Sequence, residues 1–104
     1  MVSTPPKTLQ QFQKKFPDVW RSYEALRNAC DRAGSLDRKT AELIKIVVEA
    51  ARRRHGGLIA HIHRAQTAGA TADEIAHALL LALPLVGFPD VLEAFKVASE
   101  TLRE

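Results

Sequence analysis

Cysteine occurs only once in this 104-residue sequence, as Cys30. A lone cysteine excludes an internal disulfide and any redox cycle that uses two thiols of the same chain, and it fits a reducing cytoplasm. We expect Cys30 to be a small buried apolar residue rather than a reactive thiol.

Long apolar segments are also missing from the sequence. No run reaches the roughly 18 apolar residues that a membrane-spanning helix needs, and residues 1–6 lack the basic-then-apolar pattern of a secretory signal. Because 46% of the residues are apolar and 26% are charged, the composition is that of a globular protein. We expect a cytoplasmic protein with no membrane partner.

The charge balance gives little reason to expect a nucleic-acid partner. Lys and Arg number 15 against 12 Asp and Glu, a net charge of +3 that is too small to indicate nucleic-acid binding without a clustered motif. The densest basic run, Arg52, Arg53 and Arg54, occupies consecutive positions that would fan around a helix. We expect this run to be solvated or to face another subunit.

Several catalytic signatures are absent as well. The sequence has no GxSxG elbow, no P-loop and no GxGxxG, which removes the common serine hydrolase, nucleotide and dinucleotide classes. It has no HExxH and no Cys/His spacing typical of a zinc site. We therefore expect neither a metal nor another cofactor.

Helical periodicity is what the sequence does contain, and no alternating strand pattern, linker or repeat interrupts it. The sequence predicts an all-α bundle of about six helices in a single domain, residues 1–104, with residues 1–16 forming an N-terminal arm or short helix. The predicted helices cover residues 7–15, about 17–33, 37–54 and 58–68, one that follows a Thr71/Glu74 capping box, and one that begins at Asp90.

The third and fifth predicted helices are unusually apolar. The third carries so broad an apolar face that we expect it to be central and mostly buried. A chain this short would otherwise expose more apolar surface than a monomer tolerates. We therefore expect a homo-oligomer, a trimer or hexamer, that forms through these apolar helices.

Glu42 and His61 are the candidate catalytic residues. The glycine pair after the third helix predicts a helical hairpin, in which Glu42 and His61 can approach each other from facing helices. A carboxylate beside an imidazole in apolar surroundings can act as a general acid or base. The alternative is a buried polar pair that only fixes helix packing, and the sequence leaves both open.

Arg54, His55 and Gly57 are the candidate substrate-binding residues. Free backbone amides at the start of the fourth helix, with Arg54 beside them, would suit the carboxylate of a small acidic substrate. A shared metal is not expected, because His61 and His63 would point about 200° apart on a helix.

Residues 36–71 resemble the core of the carboxymuconolactone decarboxylase / AhpD-like alkylhydroperoxidase family, and residues 79–103 continue the likeness. In the peroxidase branch the pattern is a glutamate, eleven residues, Cys-x-x-Cys, three residues and a histidine, then a helix that ends in an Ala-Gly-Ala-Thr-like turn. Glu42, Arg54, Gly57 and His61 stand at the corresponding places, and residues 68–71 match the turn. The resemblance implies an AhpD-like helical bundle.

Both cysteine positions of that pattern are changed, to Arg54 and Gly57, so we do not expect peroxide reduction by the Cys-x-x-Cys mechanism. The decarboxylase branch is similar in lacking the cysteines, in having arginine at position 54 and histidine at position 61, and in the Gly-x-Pro and Ala-Phe pairs of residues 87–95. The sequence departs from that branch at Glu42, which resembles the peroxidase branch more, and at Gly56-Gly57, where the decarboxylases tend to have acidic residues.

Three functions remain open at this point. The resemblance favours a decarboxylase-like lyase or isomerase, free of cofactor, in which Arg54 binds a small carboxylic acid or lactone while His61 and Glu42 move a proton. The second is a diverged member of the alkylhydroperoxidase family that has lost its peroxidase activity. The third is a non-catalytic helical oligomer that kept the fold.

Overall fold

The computed structural model describes residues 5–103, which fold into helices connected by short turns. Seven helical segments follow in the order α1 (Lys7–Lys15), α2 (Pro17–Arg32), α3 (Arg38–Ala51), α4 (His55–Thr67), α5 (Ala72–Leu81), the single turn α6 (Leu83–Val86) and α7 (Phe88–Leu102). No strand occurs among these residues, so the all-α prediction is confirmed. The chain divides into two compact units, which meet between Leu36 and Asp37 in the sequence.

The N-terminal unit consists of the helices α1 and α2. Their observed starts at Lys7 and Pro17 agree with the sequence prediction, and the proline at the first position of α2 needs no hydrogen-bond partner for its nitrogen. The predicted N-terminal arm extends into residues 1–4, which lie outside the described part of the chain. The prediction of a buried Cys30 is wrong, because the side chain is exposed on α2.

The C-terminal unit is built around α3, α4, α5 and α7, which share a common core in which α3 and α7 each contact the other three helices. The largest fully buried apolar side chains come from three of these helices, and α7 closes the core with small residues such as Ala94 and Ala98. Burial of each large aliphatic side chain contributes roughly 1.5–3 kcal/mol. The large side chains are Ile46, Leu58, Ile62, Ile75 and Leu79.

The turn between α3 and α4 differs from the prediction. The helix was expected to continue to Arg54, but α3 ends at Ala51, and the three arginines form the turn. Arg53 has a φ of 56°, which is the left-handed conformation of a Schellman motif. The two hydrogen bonds of that motif run from the Arg54 and Arg53 amides to the carbonyls of Glu49 and Ala50, at 3.0 and 3.1 Å.

His55, Gly56 and Gly57 form the first turn of α4, whereas the sequence predicted that they break the helix. Helix α5 begins as predicted, because the Thr71 side chain accepts a hydrogen bond from the Glu74 amide and the Glu74 side chain accepts one from the Thr71 amide. The last helix begins at Phe88, two residues before the predicted start.

The face of α3 that carries Ile44 and Val48 is less buried than predicted. Ile46 and Ala50 are fully covered, but Ile44 and Val48 are each 47% exposed. Both residues line a groove between α3 and α5 and remain open to solvent in the single chain. No helix within residues 5–103 has the length and apolar character needed to cross a lipid bilayer.

Substitution of Arg53 by glycine should stabilise the protein. A left-handed backbone costs an L-residue with a Cβ roughly 1–2 kcal/mol, and part of this gain is offset because glycine has more freedom in the unfolded chain. We expect the free energy of unfolding to rise by about 0.5–1 kcal/mol, measured by urea denaturation.

Gly69 provides the matched control, because it occupies the equivalent position at the end of α4 with a φ of 98°. Gly69→Ala should destabilise the protein by about 1 kcal/mol. If Arg53→Gly lowers the stability, the Arg53 side chain stabilises the turn more than its backbone strains it.

Candidate active site

Glu42 is a carboxylate inside the helical core, with only 2% of its surface exposed. It lies on the face of α3 that also carries Ile46 and Ala50, one and two turns further along, and this face packs against α4. An unpaired carboxylate at such a place would be strongly destabilising. Glu42 therefore needs a partner from the facing helix.

His61 is that partner, and the sequence prediction that the two side chains meet is correct. The His61 Nδ1 atom lies 2.7 Å from Glu42 Oε1. Because a carboxylate can only accept, the Nδ1 hydrogen is donated to Glu42, and Nε2 then carries the lone pair of the neutral ring. The His61 side chain remains 16% exposed, so a small molecule can approach the ring from solvent.

Cations keep the Glu42 carboxyl ionised. Burial by itself would raise the pKa of Glu42, but the hydrogen bond from His61 and, when the ring is protonated, its positive charge oppose this effect. Lys45, whose Nζ lies 3.7 Å from Oε2, and the charge of Arg64 act in the same direction. The net result is a pKa below the ordinary value of 4.5. Glu42 is thus a fixed negative charge that orients His61.

Arg54 and Gly57 share one face of α4 with His61, because they lie seven and four residues before it. Arg54 is exposed at the start of the helix, where its carbonyl accepts a hydrogen bond from the Leu58 amide at 2.9 Å. Within residues 5–103, its guanidinium makes no salt bridge. His55 is exposed in the first turn. The structure brings neither Arg54 nor His55 into contact with the Glu42–His61 pair.

Glu49 is a residue that the sequence analysis did not assign to the site. Its side chain is 17% exposed and reaches over Gly57, and its Oε1 atom lies 3.4 Å from Arg52 Nη1. The sequence could have indicated this position, because Glu49 follows Glu42 by seven residues and so lies on the same face of α3.

Lys45 and Arg64 were also missed. Lys45 lies three residues after Glu42, and Arg64 lies three residues after His61, so helical spacing would have indicated both.

Two apolar grooves of about 460 and 520 Å³ lie on the C-terminal unit, and both include His77. The first runs between α5, α6 and α7 and contains Phe88 and Phe95, and the second runs between α3 and α5. Neither groove is lined by Glu42, Arg54 or His61. The acid–base pair is therefore a separate feature of the surface.

A metal site would need at least three side chains of the ligating types close together. Among residues 5–103, no group of three or more His, Cys, Asp or Glu side chains has that arrangement. The Glu42–His61 pair supplies two ligands at most.

Loss of the Glu42 charge should make the stability depend less on pH. The lowered pKa of Glu42 means that its ionisation stabilises the fold above about pH 4.5 and that this contribution is lost as the pH falls through the folded-state pKa. We expect Glu42→Gln to cost about 1–3 kcal/mol at pH 7, and the difference from wild type to shrink below pH 4.5 in urea denaturation.

The exposed Glu93 on α7 offers the control substitution, because Glu93→Gln changes the same charge away from the pair. This variant should follow the wild-type stability at every pH. A Glu42→Gln variant that stays equally far below wild type from pH 7 to pH 3 would contradict the assignment of a lowered pKa to Glu42.

Solved structures with the same arrangement of helices exist. A carboxymuconolactone decarboxylase family protein from Legionella pneumophila, in its apo form, superimposes with a TM-score of 0.82 at 26% identity, over 92% of this chain and 86% of that one. A putative carboxymuconolactone decarboxylase from Burkholderia xenovorans gives a TM-score of 0.76 at 25% identity, over 94% of this chain and 80% of that one.

Among curated proteins, none matches the sequence. The model of the carboxymuconolactone decarboxylase family matches residues 17–100, a span that includes the buried Glu42–His61 pair, the helices α3, α4 and α5, and α7 up to its last two residues. Because this match covers most of the sequence and both structural relatives agree with it, the chain belongs to the carboxymuconolactone decarboxylase family.

Proposed function

We propose that this protein is a cofactor-free acid–base enzyme that decarboxylates or isomerises a small carboxylic acid or lactone. The observation that carries the proposal is the 2.7 Å hydrogen bond between the buried carboxylate of Glu42 and Nδ1 of the partly exposed His61. The charged Glu42 fixes the tautomer of the His61 ring, and the ring can then exchange a proton at Nε2.

The proton balance of a decarboxylation illustrates the role of this pair. The bond between the substrate carbon and its carboxylate breaks, CO2 leaves, and the electron pair stays on the carbon. His61, protonated at Nε2, gives its proton to that carbon and becomes neutral. Glu42 stabilises the imidazolium before the transfer, because its negative charge lies next to the ring.

Arg54 is the proposed substrate-binding residue. A guanidinium can bind a carboxylate through two parallel hydrogen bonds, which fixes orientation as well as position. Arg54 lies at the start of α4, two turns before His61. Its guanidinium forms no salt bridge with any side chain of residues 5–103. His55 and the Gly57 amide lie in the adjacent turn and would complete this end of the site.

Two other functions have less support. A diverged alkylhydroperoxidase-family protein keeps the spacing of Glu42 and His61 but has Arg54 and Gly57 in place of the thiols, so only its non-thiol chemistry could remain. A non-catalytic scaffold would use the pair for packing alone. The partial exposure of His61 favours a catalytic role over both.

His61→Gln should abolish turnover while the fold is retained, because glutamine can hydrogen-bond to Glu42 but cannot carry the proton. A panel of lactones and keto acids is first screened by thermal stabilisation of the protein, and the stabilising compounds are then assayed for CO2 release and for isomerisation. We expect a loss of at least about 100-fold in kcat.

His63→Gln is the matched control, because the same substitution is made two residues further on, at a different side of α4. Thermal stabilisation that disappears in Arg54→Met would support an acidic substrate. Unchanged turnover in His61→Gln would remove His61 from the mechanism.

We also propose that the protein forms a homo-oligomer through the apolar surface of α3 and α5–α7. Eight large apolar side chains of these helices are between 47% and 88% exposed, and they border the two grooves. Such a continuous surface is normally covered in the functional assembly. The eight residues are Ile44, Val48, Leu80, Leu81, Leu85, Phe88, Leu92 and Phe95.

Leu85→Glu tests this assembly, because Leu85 is the most exposed large apolar residue, at 88%. A charge at this position would have to be buried in the interface, so we expect a trimer or hexamer to dissociate, measured by light scattering during gel filtration. Leu36→Glu, at a residue that is 60% exposed outside this surface, should leave the assembly intact. A wild-type protein that is monomeric at about 100 µM would disprove the assembly.

A further inference from the structure

A second carboxylate of α3 also faces α4 near His61. Glu49 lies two helical turns after Glu42, and its side chain is only 17% exposed. Its cationic neighbour is Arg52, with 3.4 Å between Oε1 and Nη1, and the Arg52 side chain is 59% exposed. Because a contact of this length to an exposed side chain is weak, the Glu49 carboxylate is sheltered without being held tightly.

Gly57 provides the space for this carboxylate. A Cβ at position 57 would overlap Glu49 Oε2 and would lie 2.8 Å from Cδ and 3.3 Å from Cγ of the same side chain. The other four glycines have no such neighbour within 4 Å, and these include Gly56 in the same turn of α4. Of the five glycines, Gly57 is therefore the one at which a side chain would overlap Glu49.

Position 57 is one turn before His61 on the same face of α4, a distance of about 6 Å along the helix axis. The Glu49 carboxylate thus lies over the same stripe of α4 that carries the imidazole. The two acids of α3 have different surroundings, since Glu42 is buried and bonded to His61 Nδ1, whereas Glu49 is paired with the exposed Arg52 and lies against the backbone of Gly57.

We propose that Glu49 is the second acid–base group of this site, and that the substrate is a small carbonyl compound with an acidic C–H bond that binds between the Glu49 carboxylate and the His61 ring. This proposal rests on the acid–base function proposed above. In an isomerisation, the Glu49 carboxylate takes the proton from one carbon, the double bond shifts, and His61, protonated at Nε2, gives a proton to another carbon. The substrate loses one proton and gains one, and proton exchange with water returns both groups to their starting state, so no other co-reactant is needed.

The first experiment compares Glu49→Gln with wild type on a substrate whose turnover depends on His61. Glutamine keeps the size of the side chain but cannot exchange a proton, so we expect kcat to fall by about 100-fold with a smaller change in KM, and one limb of the pH–rate profile to disappear. A residue with a purely structural role would not remove a limb.

Gly57→Ala and Gly56→Ala form a matched pair for the same assay. Alanine at position 57 displaces the Glu49 carboxylate, so kcat should fall, whereas alanine at position 56 meets no atom within 4 Å and should leave kcat unchanged. Circular dichroism of both variants shows whether the helices are retained.

A second experiment needs no substrate. The ring of His61 is followed by NMR titration in wild type and in Glu49→Gln, with His61→Gln used to assign the signal among the four histidines. The charges near the ring from both helices, Glu42, Lys45 and Arg64, are unchanged in this comparison. Loss of the negative charge of Glu49 on the facing helix should move the midpoint of the measured titration curve to lower pH.

The outcomes separate this proposal from the proposed function. Turnover lost in His61→Gln but fully retained in Glu49→Gln, with an unchanged pH profile, overturns the role of Glu49 alone. Turnover that survives His61→Gln overturns both. If no compound of the panel is turned over, the titration decides, since an unmoved midpoint overturns the coupling between Glu49 and His61 and a shifted one supports it.

Discussion

The C-terminal unit depends on one constraint, the need to neutralise a carboxylate in an apolar core. Glu42 is 2% exposed, and the hydrogen bond to His61 Nδ1 allows it to stay ionised there. That bond fixes the orientation of α4 relative to α3, because the two side chains meet at only one register of the helices. In the proposed function it also determines the chemistry, since the nitrogen left for proton exchange is Nε2. The same bond would then serve both the packing and the proposed proton transfer.

The turn between α3 and α4 determines which other residues lie near this pair. A Schellman motif ends α3 at Ala51, and α4 starts after only three arginines, so the chain reverses within a short distance. The stripe of Arg54, Gly57 and His61 then faces the stripe of Glu42 and Glu49. The α3 stripe carries the two carboxylates, and the α4 stripe carries the guanidinium of Arg54 and the imidazole of His61. The short hydrogen bond across this contact is the one between Glu42 and His61.

Sequence reasoning succeeded where local chemistry decides the structure. Thr71 and Glu74 form the predicted capping box because both hydrogen bonds lie within one turn, and Pro17 starts α2 for a similarly local reason. The contact between Glu42 and His61 could be predicted because helical spacing and the hairpin together left few alternatives. The match to the family confirmed the fold that this spacing implied.

The errors arose where tertiary contacts outweigh local preference. Gly56 and Gly57 were expected to break a helix, but they lie in the first turn of α4, where Gly57 packs against the Glu49 side chain of α3. Burial of Ile44 and Val48 was expected from their apolar character, yet both line a groove and are 47% exposed in the single chain. Hydrophobicity predicts that an apolar residue favours burial, whereas the neighbours that bury it depend on the tertiary and quaternary structure.

The contact between Glu49 and Gly57 also has an evolutionary consequence. Position 57 stands where the peroxidase pattern that the chain resembles has one of its two cysteines, and a Cβ there would overlap the Glu49 carboxylate. Because that carboxylate is the free end of a flexible side chain, a cysteine fits at position 57 once Glu49 adopts another rotamer. The effect of a substitution at position 57 thus depends on the residue at position 49, which makes the two positions epistatic.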